Sequence, residues 1–77
     1  MNIYHISQYV NRGYDTYDSA VVTAESEEDA RQMYPGGERS EYDFNDWCKP
    51  NDVEVEFIGT TTTINKSKVI CASFNAG

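Results

Sequence analysis

The sequence predicts a single small α+β domain with the element order ββαββ, in which one short helix packs on one face of an antiparallel sheet. Three observations predict this class. The 77 residues suffice for one domain, 1–77, and no more. Two pairs of segments are rich in β-branched and aromatic residues, and a short segment with a helix-start signal separates the pairs. We therefore expect a β-hairpin, a helix and a second β-hairpin.

The first predicted strand covers residues 3–10, and the second covers 19–24. Alternation along the first strand predicts one face with Tyr4, Ile6 and Val10 and another with Ile3, His5 and Tyr9. Neither face is cleanly polar, so we expect a central strand that is covered on both sides. Residues 11–13 carry a turn signal, and 14–18 form a polar, aromatic connection between the strands.

The helix has a clear local signature. Ser26 is a favourable N-cap, and an acidic residue three positions later gives a short capping box. The first turn is acidic, as the positive end of the helix dipole favours, with Glu27, Glu28 and Asp29. An apolar stripe follows at Ala30, Met33 and Tyr34, and residues 35–37 end the helix. At most three turns fit, so this helix must depend on the sheet for stability.

The segment 38–51 is the least regular part of the sequence. Asp43 is predicted to cap one helical turn that contains Phe44, Trp47 and Cys48, and Pro50 is predicted to close it. In so small a domain we expect Trp47 to anchor the core.

The last two strands are predicted at 52–58 and 68–74, joined by a turn at 65–67. In the first of them Val53, Val55 and Phe57 are expected to face inward, with Glu54 and Glu56 outward. Gly59 is expected to mark a β-bulge. In the last strand Val69 and Cys71 are predicted on one face, with Ile70, Ala72 and Phe74 on the other.

Catalytic and metal chemistry find little support in the sequence, and we expect neither an enzyme nor a cofactor. There is one histidine, His5, and the two cysteines, Cys48 and Cys71, form no metal-binding pair. We expect a structural histidine and ordinary buried cysteines that behave as small hydrophobes. Residues 1–5 lack a signal-peptide pattern, and no apolar run reaches the roughly 20 residues of a membrane span. A cytoplasmic protein with reduced thiols is expected. Because a core of this size is marginal, a homodimer or higher oligomer is a reasonable expectation.

The acidity of the chain is local. The net charge is −7, and residues 25–46 contribute eight acids and two bases to it. No basic patch is present, so direct binding to nucleic acid is disfavoured. Two interpretations of the acidic segment stay open: a solvated helix face, or a surface that meets a basic groove on a partner protein.

The six tyrosines exceed the needs of so small a core. Tyr14 and Tyr17 lie in the polar connection, where core packing explains an aromatic ring poorly. Either they contribute to an interface, where aromatic residues are favoured, or they pack over a sheet edge.

Several segments together resemble a family of small proteins carried by bacteriophages and prophages, to which no activity is attached. They are RGYDTYDSAVV at 12–22, Ala30-Arg31, Trp47-Cys48, Asp52-Val53 with Ile58-Gly59, and ASFNAG at 72–77. The resemblance implies a phage accessory protein made in the cytoplasm of a bacterial host. By analogy with other small acidic phage proteins, it implies inhibition of a host protein, such as a CRISPR effector or another defence factor.

Two functions are therefore predicted. The first is a non-catalytic inhibitor that binds a host protein through an acidic, tyrosine-rich surface. Its expected binding residues are Tyr14, Asp15, Tyr17, Asp18, Glu27, Glu28, Asp29 and Asn75. The alternative is an oligomeric sponge that sequesters a small nucleotide signal of host immunity. There, tyrosines would stack on the base and Arg12, Arg31 or Arg39 would reach phosphate.

Overall fold

Four antiparallel strands and one α-helix are found in the computed structural model, which describes residues 1–37 and 46–75. The strands are β1 (Asn2–Ser7), β2 (Thr16–Ala24), β3 (Glu54–Thr60) and β4 (Lys68–Asn75). The helix α1 (Glu27–Arg31) follows β2, and a 3₁₀ turn (Pro50–Asp52) precedes β3. The predicted α+β class and the ββαββ order are thus confirmed. No helix in these described segments has the length and apolar character needed to cross a bilayer.

The strands lie in the order β3-β1-β2-β4, so the chain's first two strands occupy the centre of the sheet. The predicted first hairpin is confirmed, since β1 and β2 pair directly, with Tyr4 opposite Val22. The predicted second hairpin is wrong: β3 pairs with β1 and β4 pairs with β2. The connection 61–67 runs past the ends of both central strands. It is fastened there by a Thr61 N–H donated to the Met1 carbonyl at 2.9 Å.

The limits of the central strands differ from the predicted ones. β1 ends at Ser7 because the next residue, Gln8, turns its buried side chain into the connection. β2 begins three residues earlier than predicted, at Thr16. β1 is central as expected, but residues 1–37 and 46–75 cover only one of its faces. The face that carries His5 opens into a shallow depression.

The core lies on the opposite face of the sheet, beneath α1 and Trp47. Its fully or nearly buried apolar members are Tyr4, Ile6, Ala20, Val22, Ala24, Ala30, Trp47, Cys48 and Val53. Trp47 is 1% exposed, which confirms its predicted role as the core anchor. The predicted cap of that turn, Asp43, and its neighbour Phe44 lie outside the described residues.

The helix begins as predicted and ends early. The Ser26 hydroxyl accepts a hydrogen bond from the Asp29 N–H at 3.2 Å. The last helical residue is Arg31, so the helix has five residues, well below the three turns that the sequence allows at most. Pro35 contributes to this early end because the residue before a proline avoids helical geometry. So short a helix is unstable alone, and burial of Ala30 against the sheet holds it in place.

Two register shifts set which side chains of the edge strands face the core. The predicted bulge at Gly59 is confirmed by the shift opposite Ile3 and Tyr4. A second shift lies in β4, between Val69 and Cys71. Val69 lies opposite buried Val22, and Cys71 lies opposite Val21. The prediction that Val69 and Cys71 share a face is therefore wrong. Cys71 is exposed, contrary to expectation, whereas Cys48 is buried.

Replacing Trp47 with alanine is expected to lower the free energy of unfolding by about 3–5 kcal/mol, because it empties the centre of the core. Small domains are stable by only about 5–15 kcal/mol, so the urea midpoint should fall steeply. Tyr14→Ala is the control, since that ring is 82% exposed and its removal should change the free energy by less than about 0.5 kcal/mol. Equal losses in the two variants would contradict the buried position of Trp47.

Candidate functional site

The β1–β2 connection, residues 8–15, is held by the buried side chain of Gln8. The Gln8 amide nitrogen donates to the Tyr17 carbonyl at 2.9 Å and to the Asn11 carbonyl at 2.5 Å. The Gln8 amide oxygen accepts from the Asn11 N–H at 2.7 Å. Gln8 is 2% exposed, so these bonds are shielded from water. One side chain thus closes the connection in a defined shape.

A second set of bonds shapes the outer part of the connection. The Thr16 hydroxyl donates to the Gly13 carbonyl at 2.8 Å, and the Gly13 N–H lies 3.2 Å from the same hydroxyl oxygen. Asp15 has a φ of 60°, a left-handed conformation that aspartate tolerates better than most residues. Between these fixed points Tyr14 projects outward with 82% of its surface exposed. The ring is therefore presented on an ordered backbone.

The C-terminal end of β4 joins the same region. The Asp15 N–H donates to the Asn75 carbonyl at 2.5 Å. The Asn75 amide nitrogen donates to the Asp18 carboxylate at 2.7 Å. Four of the predicted binding residues are thus brought together, and we call them the hairpin-tip cluster: Tyr14, Asp15, Asp18 and Asn75.

Tyr17, also predicted as a surface residue, lies in β2 and is half-buried. Its ring meets Phe74 edge-on at 4.8 Å between centroids and Tyr34 at 5.8 Å. The Tyr34 hydroxyl donates in turn to the Asp46 carboxylate. Of the two interpretations of this tyrosine, packing over the sheet edge is the one that fits.

The acidic residues of α1 form a separate surface. Glu27, Glu28 and Asp29 are all exposed. They follow the end of β2 opposite to the hairpin tip, and nine extended residues place the two ends roughly 25 Å apart. Arg31 lies 4.0 Å from the Glu27 carboxylate and 3.9 Å from that of Glu28, which are weak surface pairs. The predicted residues therefore make two patches on one molecule.

A feature that the sequence analysis missed lies on the uncovered face of the sheet. A depression of about 440 Å³ is lined by His5, Ser7, Tyr9, Glu54, Val55 and Glu56. A second hollow of about 280 Å³ shares His5, Ser7 and Tyr9 and adds Gln8, Arg12, Asp18 and Ser19. The alternation of β1 already placed His5 and Tyr9 on one face. That alternation does not distinguish a covered face from an exposed one, so it does not reveal the depression.

The three arginines of the nucleotide hypothesis have different surroundings. The Arg31 guanidinium donates to the Val53 carbonyl and so fastens α1 to the start of β3. Arg12 lies over the Tyr9 ring, 5.4 Å from its centroid, beside the second hollow. Arg39 is outside the described residues. Within the described part of the chain, no three acidic, cysteine or histidine side chains are grouped as a metal site would require.

Comparison with known proteins gives no relative: no family model, curated protein or solved structure matches this chain significantly.

Replacing Gln8 with alanine is expected to lower the free energy of unfolding by about 1–3 kcal/mol, because it removes the three hydrogen bonds that this buried side chain makes to the backbone of Asn11 and Tyr17. Hydrogen exchange of the amides in 9–17 should accelerate more than exchange in β1. Gln32→Ala is the matched control, since that glutamine is exposed and donates to the surface carboxylate of Glu28 at 3.3 Å. Similar effects of the two substitutions would contradict the role assigned to Gln8.

Proposed function

We propose that this chain is a non-catalytic phage accessory protein that binds and inhibits a protein of its bacterial host, in the host cytoplasm. The observation that carries the proposal is the exposure of Tyr14 on a backbone that Gln8, Thr16 and Asn75 hold in place. A tyrosine ring can bury a large area against a partner while its hydroxyl forms a hydrogen bond, so tyrosine is favoured at interfaces. Tyrosines in such positions commonly supply most of an interface's binding energy.

The ordered backbone around Tyr14 also favours binding. A side chain on a mobile loop loses conformational entropy when it binds, whereas a pre-ordered one loses less. The connection around Tyr14 is fixed by hydrogen bonds at both of its ends. Asp15 and Asp18 add two carboxylates to the hairpin-tip cluster, which suits a partner surface that offers a basic residue beside an apolar pocket.

The acidic patch on α1 supports the same proposal in a secondary way. Glu27, Glu28 and Asp29 give one end of the molecule a negative potential, which would steer it toward a basic surface and raise the association rate. The effect should weaken with salt, because all three carboxylates are exposed. The hairpin-tip cluster would then set the lifetime of the complex, and the helix patch its rate of formation.

The test begins with affinity capture from host lysate and identification of the bound protein by mass spectrometry. Titration calorimetry then compares the wild type with Tyr14→Ala. Loss of a central tyrosine is expected to weaken binding by about 30-fold or more, equivalent to about 2 kcal/mol. Unchanged affinity would remove the hairpin tip from the interface.

Stopped-flow measurements of association with the captured host protein test the contribution of the acidic patch on α1. They use a double variant that combines Glu27→Gln and Glu28→Gln. Its matched control is Glu54→Gln with Glu56→Gln, which removes the same charge from β3. A slower association of the helix variant alone, at low salt, is expected. Identical rates in both would mean that only net charge matters.

A second candidate function is the capture of a small nucleotide. It is favoured by the stacked pair of Arg12 and Tyr9 beside the hollow on the uncovered sheet face. A base could stack on the tyrosine while the guanidinium meets phosphate. The same region carries Asp18, Glu54 and Glu56, which repel an anion. We therefore rank this function second.

Thermal unfolding in the presence of cyclic nucleotides and ADP-ribose derivatives tests the second candidate. A ligand at a hundred times its Kd should stabilise the fold by about 2.7 kcal/mol, which corresponds to a rise of roughly 10–20 °C in Tm for a domain of this size. Arg12→Ala should abolish that rise, whereas Lys49→Ala should preserve it. A flat response across the panel excludes this function.

A further inference from the structure

The edge formed by β4 is unusually open for pairing. β4 is the outermost described strand on its side of the sheet, so half of its backbone N–H and C=O groups point away from β2. Five consecutive residues, 70–74, are exposed, and the apolar side chains of Ile70 and Phe74 keep 44% and 46% of their surface in water. Residues 69–75 carry no charge. Proteins normally blunt such an edge with charges or bulges.

The other edge strand has that protection. β3 presents Glu54 and Glu56 to solvent, and a bulge before Gly59 breaks its ladder. In a chain of net charge −7, two copies meeting along β3 would bring four glutamates together. Both edge strands contain a bulge, so the two edges differ in charge: β3 presents two glutamates to solvent, whereas residues 69–75 of β4 carry no charge.

The ends of β4 differ in charge. Lys66 and Lys68 lie at its start, and both are exposed. At its end Asn75 holds the backbone of Asp15 and the carboxylate of Asp18. If a second copy pairs antiparallel along this edge, the basic end of each strand meets the acidic end of the other. This complementarity occurs twice, because a twofold axis repeats every contact.

We propose that two copies of this chain pair through β4, antiparallel and about a twofold axis at the middle of the strand, to form one continuous eight-stranded sheet. A twofold axis places one residue opposite itself, and the strand's middle is Cys71 or Ala72. With Cys71 on the axis, Lys68 lies opposite Phe74 of the second copy. With Ala72 on the axis, Cys71 lies opposite Ser73. Either register brings the two Cys71 side chains to directly opposite or diagonal positions, at most about 8 Å apart.

This geometry gives a direct test in the intact protein. Sedimentation equilibrium of the reduced wild type across micromolar to millimolar concentrations should show a monomer–dimer equilibrium. A short bismaleimide should then join two copies through Cys71 in high yield, and peptide mapping should identify that cysteine rather than buried Cys48. A monomer at all concentrations, or a dimer that Cys71 does not cross-link, overturns the proposal.

A comparison of Lys68→Glu with Lys49→Glu tests whether charge complementarity at the ends of β4 stabilises the dimer. Both lysines are exposed, and both substitutions change the net charge equally. Lys68→Glu should weaken dimerisation by roughly fivefold or more, since it places a repulsive pair at each end of the interface. Lys49→Glu should not. In about 1 M salt, where the screening length falls to about 3 Å, the two should converge. Equal dimer constants at low salt contradict the proposed pairing.

These experiments distinguish failure of the proposed β4 dimer from failure of the proposed host binding. Tyr14→Ala should leave the dimer constant unchanged, because Tyr14 lies in the β1–β2 connection and not in the paired strand β4. It reports on host capture alone, whereas cross-linking through Cys71 reports on self-pairing alone.

Discussion

The buried amide of Gln8 is the constraint on which the arrangement of this small domain depends. It ends β1, closes the connection back to β2 and sets the position from which Tyr14 projects. The link continues inward, because Gln8 bonds the backbone of Asn11, whose side chain donates to the Trp47 carbonyl at 3.3 Å. A polar chain of contacts therefore joins the connection that carries exposed Tyr14 to buried Trp47. In a low-dielectric interior such bonds are strong when complete and destabilising when broken.

The described residues cover the sheet on one face only, as expected for a chain with few residues to spare. One tryptophan and a helix of five residues can shield the middle of a four-stranded sheet but not its whole width. α1 packs over β1, β2 and β3, which leaves the residues of β4 largely exposed. The opposite face keeps its polar and charged side chains in water and forms the depression around His5. Surface that a larger domain would bury is here available to partners.

Local features were predictable from the sequence, and the reason is that nearby residues determine them. Ser26 and its acidic neighbours mark the start of α1, and Val53 and Trp47 had the character of core residues. The strand order was not predictable, since it depends on pairing between residues more than 40 positions apart, such as Val22 with Val69. The register shift beside Cys71 is invisible in an alternating pattern. The same limit applies to the site: exposure of Tyr14 followed from its polar surroundings, but the burial of Tyr17 depends on Phe74, which only the sheet brings near.

The strand order also affects how the chain folds during its synthesis. The two central strands and the helix belong to the first 31 residues, and both flanking strands belong to the last 24. During synthesis the hairpin therefore emerges with two unpaired edges and waits for distant parts of the chain to complete it. Contacts of such long sequence separation slow folding compared with helical domains of similar size. Until β4 leaves the ribosome, the nascent hairpin remains a template for any strand that reaches it first, and a chaperone would find its binding site there.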